Sequence, residues 1–68
     1  MDGIVFVVEE APDEGLCARA LGESIFTQAP TMAELRERVR DAVRCHFDDG
    51  TQPGMIRLHC VRVEVIAA

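Results

Sequence analysis

Ile4-Val5-Phe6-Val7-Val8 is the stretch that decides the fold of this chain. Its residues are all apolar and most are β-branched, which predicts a strand that is buried on both faces. A polar segment that contains Pro12 and Gly15 follows, so we expect the chain to turn back there. Residues 16–21 and 24–28 are then predicted to form the second and third strands of a meander.

A single amphipathic helix is predicted over residues 32–48. Thr31 is a good N-cap, and Glu34 follows three residues later, which is the pattern of a capping box. Gly50 is suited to the left-handed conformation that ends many helices. One stripe of the helix is apolar by its spacing. Its members are Met32, Leu35, Val39, Ala42, Val43, His46 and Phe47.

Residues 55–66 are predicted to form one long final strand. The apolar positions of its first half alternate, and those of its second half alternate in the opposite phase. They are Ile56, Leu58 and Cys60, and then Val61, Val63 and Val65. Such a change of phase indicates a β-bulge or a bend between the two halves.

The order of elements predicts an α+β fold, β-β-β-α-β, in a single domain over residues 1–68. We expect an antiparallel sheet of three to four strands with the helix packed on one face. The first strand is apolar on both faces, and nothing else in the chain is left to cover the second face. We therefore expect a second copy to pack there, as a homodimer or a higher oligomer. The predicted oligomer interface comprises Val5, Phe6, Val7, Val61, Val63 and Val65.

Charge and cysteine content limit the classes of function. Seven arginines against twelve acidic residues give a net charge of −5. This balance disfavours a nucleic-acid binder, and no DNA partner is expected. Three cysteines without a C-x-x-C motif predict reduced thiols in a cytoplasmic protein. The first apolar run is too short for a signal sequence or a membrane span, so no membrane association is expected.

Two pairs of neighbouring residues are weak candidates for metal ligands. They are Cys45 with His46 and His59 with Cys60. Their spacing matches no zinc motif, and His46 falls on the apolar stripe, where a hydrogen-bonded core histidine is expected. No cofactor motif or catalytic constellation is present, so we predict that the chain is not an enzyme. The alternative is a small-ligand or metal-binding protein whose site lies between subunits.

Charged residues form two further groups. Arg36, Arg40 and Arg44 lie on one helix face, where they could bind phosphate or RNA. However, Glu37 and Asp41 are placed to pair with them, which favours a self-paired solvated face. The second group is acidic, lies in the predicted hairpin connection and is a candidate surface for a basic partner. Its members are Glu9, Glu10, Asp13 and Glu14.

An ordered set of segments across residues 4–47 resembles the HicB-like antitoxin family. The segments are Glu9-Glu10, Gly15-Leu16-Cys17-Ala18, Leu21-Gly22, Ser24-Ile25-Phe26-Thr27-Gln28, Thr31-Met32-Ala33-Glu34-Leu35 and Val39-Arg40-Asp41-Ala42-Val43. The resemblance implies an oligomeric β-β-β-α-β domain. In two-domain members of that family this part binds a small basic RNA-cleaving toxin. We expect no C-terminal DNA-binding domain here, because the sequence ends at Ala68.

Overall fold

The computed structural model describes residues 3–68, which form four strands and one helix. The strands are β1 (Gly3–Ala11), β2 (Gly15–Ala20), β3 (Phe26–Ala29) and β4 (Met55–Cys60), and the helix is α1 (Met32–His46). The sheet order is β3-β2-β1-β4, and the predicted α+β fold is confirmed. Within this range no helix has the length and apolar character needed to cross a membrane.

The first hairpin is tighter than the sequence indicated. Strands β1 and β2 pair up to Ala11 and Gly15, which leaves residues 12–14 as the loop. Glu14 has a φ of 65°, as the last residue of a three-residue hairpin loop commonly does. Glu9 and Glu10 therefore lie in β1 and not in the connection where they were predicted.

Strand β4 pairs with β1 in parallel, so the prediction of a wholly antiparallel sheet is wrong for this pair. Two hairpins precede the helix, and they leave β3 running in the same direction as β1. The helix then returns the chain to the starting end of the sheet, as the connection between parallel strands requires. The result is a mixed sheet with β3 and β4 at its two edges.

The core lies between α1 and one face of the sheet. It consists of Ile4, Phe6, Val8, Ala18, Ala20, Ile25, Ala29, Leu35, Val39 and Val43. Phe6 has no exposed surface, whereas its neighbours Val5 and Val7 are only half-buried on the opposite face. Successive side chains of a strand point to opposite faces. Phe6 therefore belongs to the core, and its assignment to an oligomer interface with Val5 and Val7 is wrong.

The face of the sheet away from the helix is more polar than the first strand alone indicated. Arg57 lies beside Val5, while Arg19 and His59 flank Val7 on either side. Arginine side chains can lay their apolar stems along such residues and keep the charge in water. This face is therefore a mixed surface and not the broad apolar layer that was predicted.

The start of α1 is confirmed, and its end comes two residues earlier than predicted. The Glu34 N–H donates to Thr31 Oγ1 at 3.2 Å, as an N-cap requires. Phe47 leaves the helix in an extended conformation, and its N–H donates to the Val43 carbonyl at 3.1 Å. Gly50 has the predicted positive φ, 88°, but in a separate turn after the helix.

The long final strand predicted over residues 55–66 ends at Cys60. The Val61 N–H still donates to the Val8 carbonyl at 2.8 Å, but residues 61–68 belong to no strand and are exposed throughout. We call residues 61–68 the C-terminal arm. The molecule measures 51 Å by 19 Å by 18 Å. Eight extended residues span about 26 Å, so an arm that projects from the sheet accounts for much of the long dimension.

Candidate functional site

The C-terminal arm holds four of the seven exposed large apolar side chains of the described residues. Val61 is 40% exposed, Val63 71%, Val65 89% and Ile66 80%. The valines alternate with Arg62 and Glu64, which is the pattern of a strand with one buried face. A contiguous series of exposed apolar side chains typically marks a protein–protein contact. The arm is therefore the first candidate for an interaction surface.

An apolar groove runs between α1 and β4. It is lined by Arg36, Val39, Arg40, Ile56 and Leu58. The groove exists because α1 packs over β2 and β3 and covers β4 only in part. Ile56 and Leu58 are consequently half-buried, whereas Ile4 and Phe6 of the adjacent strand are fully buried. Since β4 is also an edge strand, its outer row of backbone groups is available for pairing.

The helix arginines are divided between paired and unpaired positions. Arg40 pairs with Glu37, and Arg44 Nη1 lies 3.5 Å from Asp41 Oδ1, which confirms the predicted self-paired face. Arg36 makes no salt bridge within residues 3–68 and lies at the groove. From the sequence, Arg36 was grouped with the other two arginines, and the groove was not predicted. The alternation of Ile56 and Leu58 with polar residues was the signal that could have indicated it.

The predicted partner-binding carboxylates cluster at one end of the sheet without forming a single face. All four are exposed. Glu9 Oε1 lies 3.7 Å from Arg19 Nη2 on the face away from the helix, and Glu10 points to the other face. Asp13 and Glu14 lie in the hairpin loop. The cluster forms an acidic end of the molecule that includes the base of the arm, since Glu9, Glu10, Val61 and Val63 line a common depression.

The weak metal candidates lie on opposite sides of the molecule. His46 Nε2 is 3.1 Å from Glu23 Oε2, next to the β3 edge, whereas His59 lies on β4 at the other edge. His59 also faces away from the helix, as its neighbour Val7 does. No group of three or more potential metal ligands exists among the described residues. The candidate set therefore cannot form one site within a single copy of the chain.

His46 is hydrogen-bonded as predicted, but it is not a core residue. Its side chain is 35% exposed at the end of α1, where its ring also makes an edge-on contact with Phe47 at 5.0 Å. The three cysteines form no disulfide in the described range, and Cys45 and Cys60 are exposed. Neither thiol forms a side-chain hydrogen bond within residues 3–68.

A mixed four-stranded sheet and one covering helix define a small α+β protein, which here also carries an exposed apolar arm. The chain belongs to the UPF0150 family. It is 58% identical over 53 residues to a UPF0150 protein of Archaeoglobus fulgidus, an alignment that covers 78% of this chain and 79% of the relative. It is 42% identical over 64 residues to a UPF0150 protein of Thermotoga maritima, covering 94% of this chain and 90% of that relative.

Two other comparisons gave no match. No protein-family profile matches the chain, and no solved structure matches it. The names of the two relatives give the family and no activity or partner. The resemblance to HicB-like antitoxins therefore stays a prediction.

Proposed function

We propose that this protein is a non-catalytic interaction module that forms homo-oligomers and binds a small basic protein. The observation that carries the proposal is the exposure of the C-terminal arm, in which Val63, Val65 and Ile66 are all more than 70% exposed. Full burial of one such side chain contributes about 1.5–3 kcal/mol. An oligomer that buries the arm removes this unfavourable contact with water.

The acidic end supports a basic partner. Four exposed carboxylates lie together there, and the whole chain carries a net charge of −5. A surface of one sign speeds the encounter with a partner of the opposite sign and disfavours partners of like charge. The HicB-like resemblance supplies the kind of partner, a small basic RNA-cleaving toxin that the module would block.

Self-association is tested by sedimentation at micromolar concentration. We expect a mass of at least twice the 7.5 kDa of one chain. A compact and stable species of 7.5 kDa would contradict the proposal, since it would show that the exposed arm is tolerated in solution.

Partner binding is tested by first searching the reading frames beside this chain for a short basic protein that cleaves RNA. RNA cleavage is measured with and without the wild-type chain, and inhibition is expected. The test variant neutralises the acidic end with Glu9→Gln, Glu10→Gln, Asp13→Asn and Glu14→Gln. The matched control neutralises four other exposed carboxylates with Glu37→Gln, Asp41→Asn, Asp48→Asn and Asp49→Asn.

Only the first variant should lose inhibition, although both variants change the net charge by the same amount. An equal loss in both would mean that total charge matters and the acidic end does not. Unchanged inhibition by the first variant would remove the acidic end as the binding surface.

A further inference from the structure

We propose that the arm of one copy lies antiparallel along the free edge of β4 of a second copy, with a twofold axis between Cys60 and Val61. The proposal rests on the self-association proposed above and names its location. Each copy would thus lend residues 61–66 to its partner as an added strand. The two sheets would become one continuous sheet across the dimer.

The arm cannot cover the free edge of its own β4. The Val61 N–H bonds to the Val8 carbonyl, so the chain leaves Cys60 in the direction of β4 and on the side of β1. The free edge lies on the other side of β4. To reach it, the chain would have to reverse, and residues 61–66 contain none of the glycine, proline, asparagine or aspartate residues that favour tight turns.

The lengths of the two segments match. Strand β4 has six residues. Residues 61–66 of the arm, which end at its last large apolar residue, Ile66, also number six. Antiparallel pairing about a centre between Cys60 and Val61 therefore places every one of these arm residues beside a β4 residue. Each segment spans about 20 Å.

The side chains that this register brings together are complementary. Directly opposite residues of antiparallel strands lie on the same face. On the helix side, the partner's Val63 meets Leu58 and the partner's Val65 meets Ile56. On the other side, the partner's Glu64 meets Arg57. The register also places the partner's Ile66 against Met55, which is 58% exposed in one copy.

In this register, the alternation of side chains between the two faces of the sheet must shift by one residue after Cys60. A twofold axis perpendicular to the sheet keeps each face of the sheet on the same side in both copies. Ile56 and Leu58 face the helix, so Val63 and Val65 must also turn to the helix side to meet them. The apolar pattern of the sequence changes phase at this point, and β4 ends there in the single copy. A β-bulge at Cys60–Val61 provides such a change.

The groove between α1 and β4 is the space that the added strand closes. Val39 and Leu58 line it, and the valines of the partner's arm extend the apolar surface beside them. Arg36, which makes no salt bridge within the described range, stands at the rim of this groove. Burial of the arm and closure of the groove thus occur in one contact.

The location is tested with the variant Val63→Asp, and Phe26→Asp is the matched control. Phe26 is 63% exposed on β3, at the other edge of the sheet. Both side chains are exposed in a single copy, so both variants should stay folded and show a cooperative thermal transition by circular dichroism. Sedimentation should show that Val63→Asp weakens dimerisation at least about 30-fold, as loss of a central interface residue does, while Phe26→Asp dimerises normally.

The reverse result would move the interface to the β3 edge and overturn the proposal. Normal dimerisation of both variants would also overturn it and leave self-association itself intact. A monomeric wild-type chain would defeat both the location and the proposed function.

A disulfide cross-link tests the register without depending on dimer strength. In a background of Cys17→Ser, Cys45→Ser and Cys60→Ser, the pair Arg57→Cys and Glu64→Cys should give a covalent dimer on mild oxidation. Directly opposite residues of antiparallel strands have Cα atoms about 4.5–5.5 Å apart, within reach of a disulfide. The control pair Arg57→Cys and Arg62→Cys is offset by two residues, about 7–8 Å, and should not cross-link. Preferential cross-linking of the control pair would overturn the register.

Discussion

Phe6 and Phe26 show how one side chain has different roles at two positions of this sheet. Phe6 is fully buried beneath α1, where Leu35 and Val39 complete the core, whereas Phe26 is 63% exposed at the start of β3. Truncation of Phe6 would leave a cavity that a core this small cannot close. Truncation of Phe26 removes a side chain that is mostly in contact with water.

Phe6→Ala should therefore lower the free energy of unfolding by about 3–5 kcal/mol, and the domain should be largely unfolded at room temperature. Phe26→Ala should change it by less than about 0.5 kcal/mol. Urea unfolding of both variants at one protein concentration measures the difference. Similar losses for the two would contradict the assignment of Phe6 to the core.

Gly15 occupies a position where a side chain would meet backbone. A Cβ atom added there would lie 2.9 Å from the carbonyl oxygen of Ala29 in the adjacent strand. At Gly3, in contrast, the nearest atom would be the Met55 carbonyl oxygen at 3.5 Å, an ordinary contact. The two glycines thus differ in the space around them although both begin strands.

Gly15→Ala should lower the free energy of unfolding by about 1–3 kcal/mol, because β3 has to move away from β2 to admit the methyl group. Gly3→Ala is the control and should be close to neutral. Thermal unfolding followed by circular dichroism compares them. A neutral Gly15→Ala would mean that the edge strand β3 shifts freely.

At the scale of elements, α1 begins at a defined cap. Thr31 Oγ1 accepts the Glu34 N–H, and Arg38 Nη1 donates to the Gln28 carbonyl at 2.6 Å, which ties the first half of the helix to β3. Thr31→Ala should lower the free energy of unfolding by about 0.5–2 kcal/mol. Thr31→Ser keeps the hydroxyl, so this variant should retain most of the free energy of unfolding that Thr31→Ala loses. Chemical denaturation is the measurement, and equal losses for alanine and serine would show that the hydroxyl is not the cause.

The helix could be predicted from sequence because its signals are local. Thr31 and Glu34 are three residues apart, and the buried residues Leu35, Val39 and Val43 repeat at helical spacing. Strands β1 to β3 were located for the same reason, since hairpin turns join neighbours along the chain. The boundaries moved by one to three residues, mainly where β1 continued through polar residues to Ala11.

The direction of β4 and the placement of the candidate site depended on information that the local pattern lacks. Whether the last strand joins β1 or β3, and in which direction, follows from how the helix crosses the whole sheet. The five apolar residues of β1 were predicted to need cover on both faces, but Arg19, Arg57 and His59 from neighbouring strands lie beside Val5 and Val7. The apolar surface left uncovered therefore includes the arm and the groove.

At the scale of the whole molecule, the two proposed surfaces are close together. The arm leaves the sheet next to Glu9 and Glu10, which line a depression with Val61 and Val63. A twofold axis at Cys60–Val61 would place Glu9 and Glu10 of both copies near the axis, whereas the two hairpin loops that carry Asp13 and Glu14 would point in opposite directions. One dimer would then present two equivalent acidic ends, each able to bind one basic partner.

Self-association also has a consequence for stability that belongs to the molecule as a whole. A chain of 68 residues buries little apolar surface on its own, so contact with a second copy should contribute to folding. If the folded species is a dimer, the melting temperature must rise with protein concentration by mass action. A tenfold increase in protein concentration raises the free energy of unfolding of the dimer by about 1.4 kcal/mol. The melting temperature should therefore rise by about 5 °C.

Calorimetry of the wild-type chain over a hundredfold range of concentration measures this rise, and Val63→Asp provides the comparison. Because the arm of that variant cannot join a partner, its melting temperature should be lower than that of the wild type and independent of concentration. A wild-type melting temperature that stays constant over the whole range would mean that folding gains nothing from a second copy. The exposure of Val63, Val65 and Ile66 would then require a different occupant.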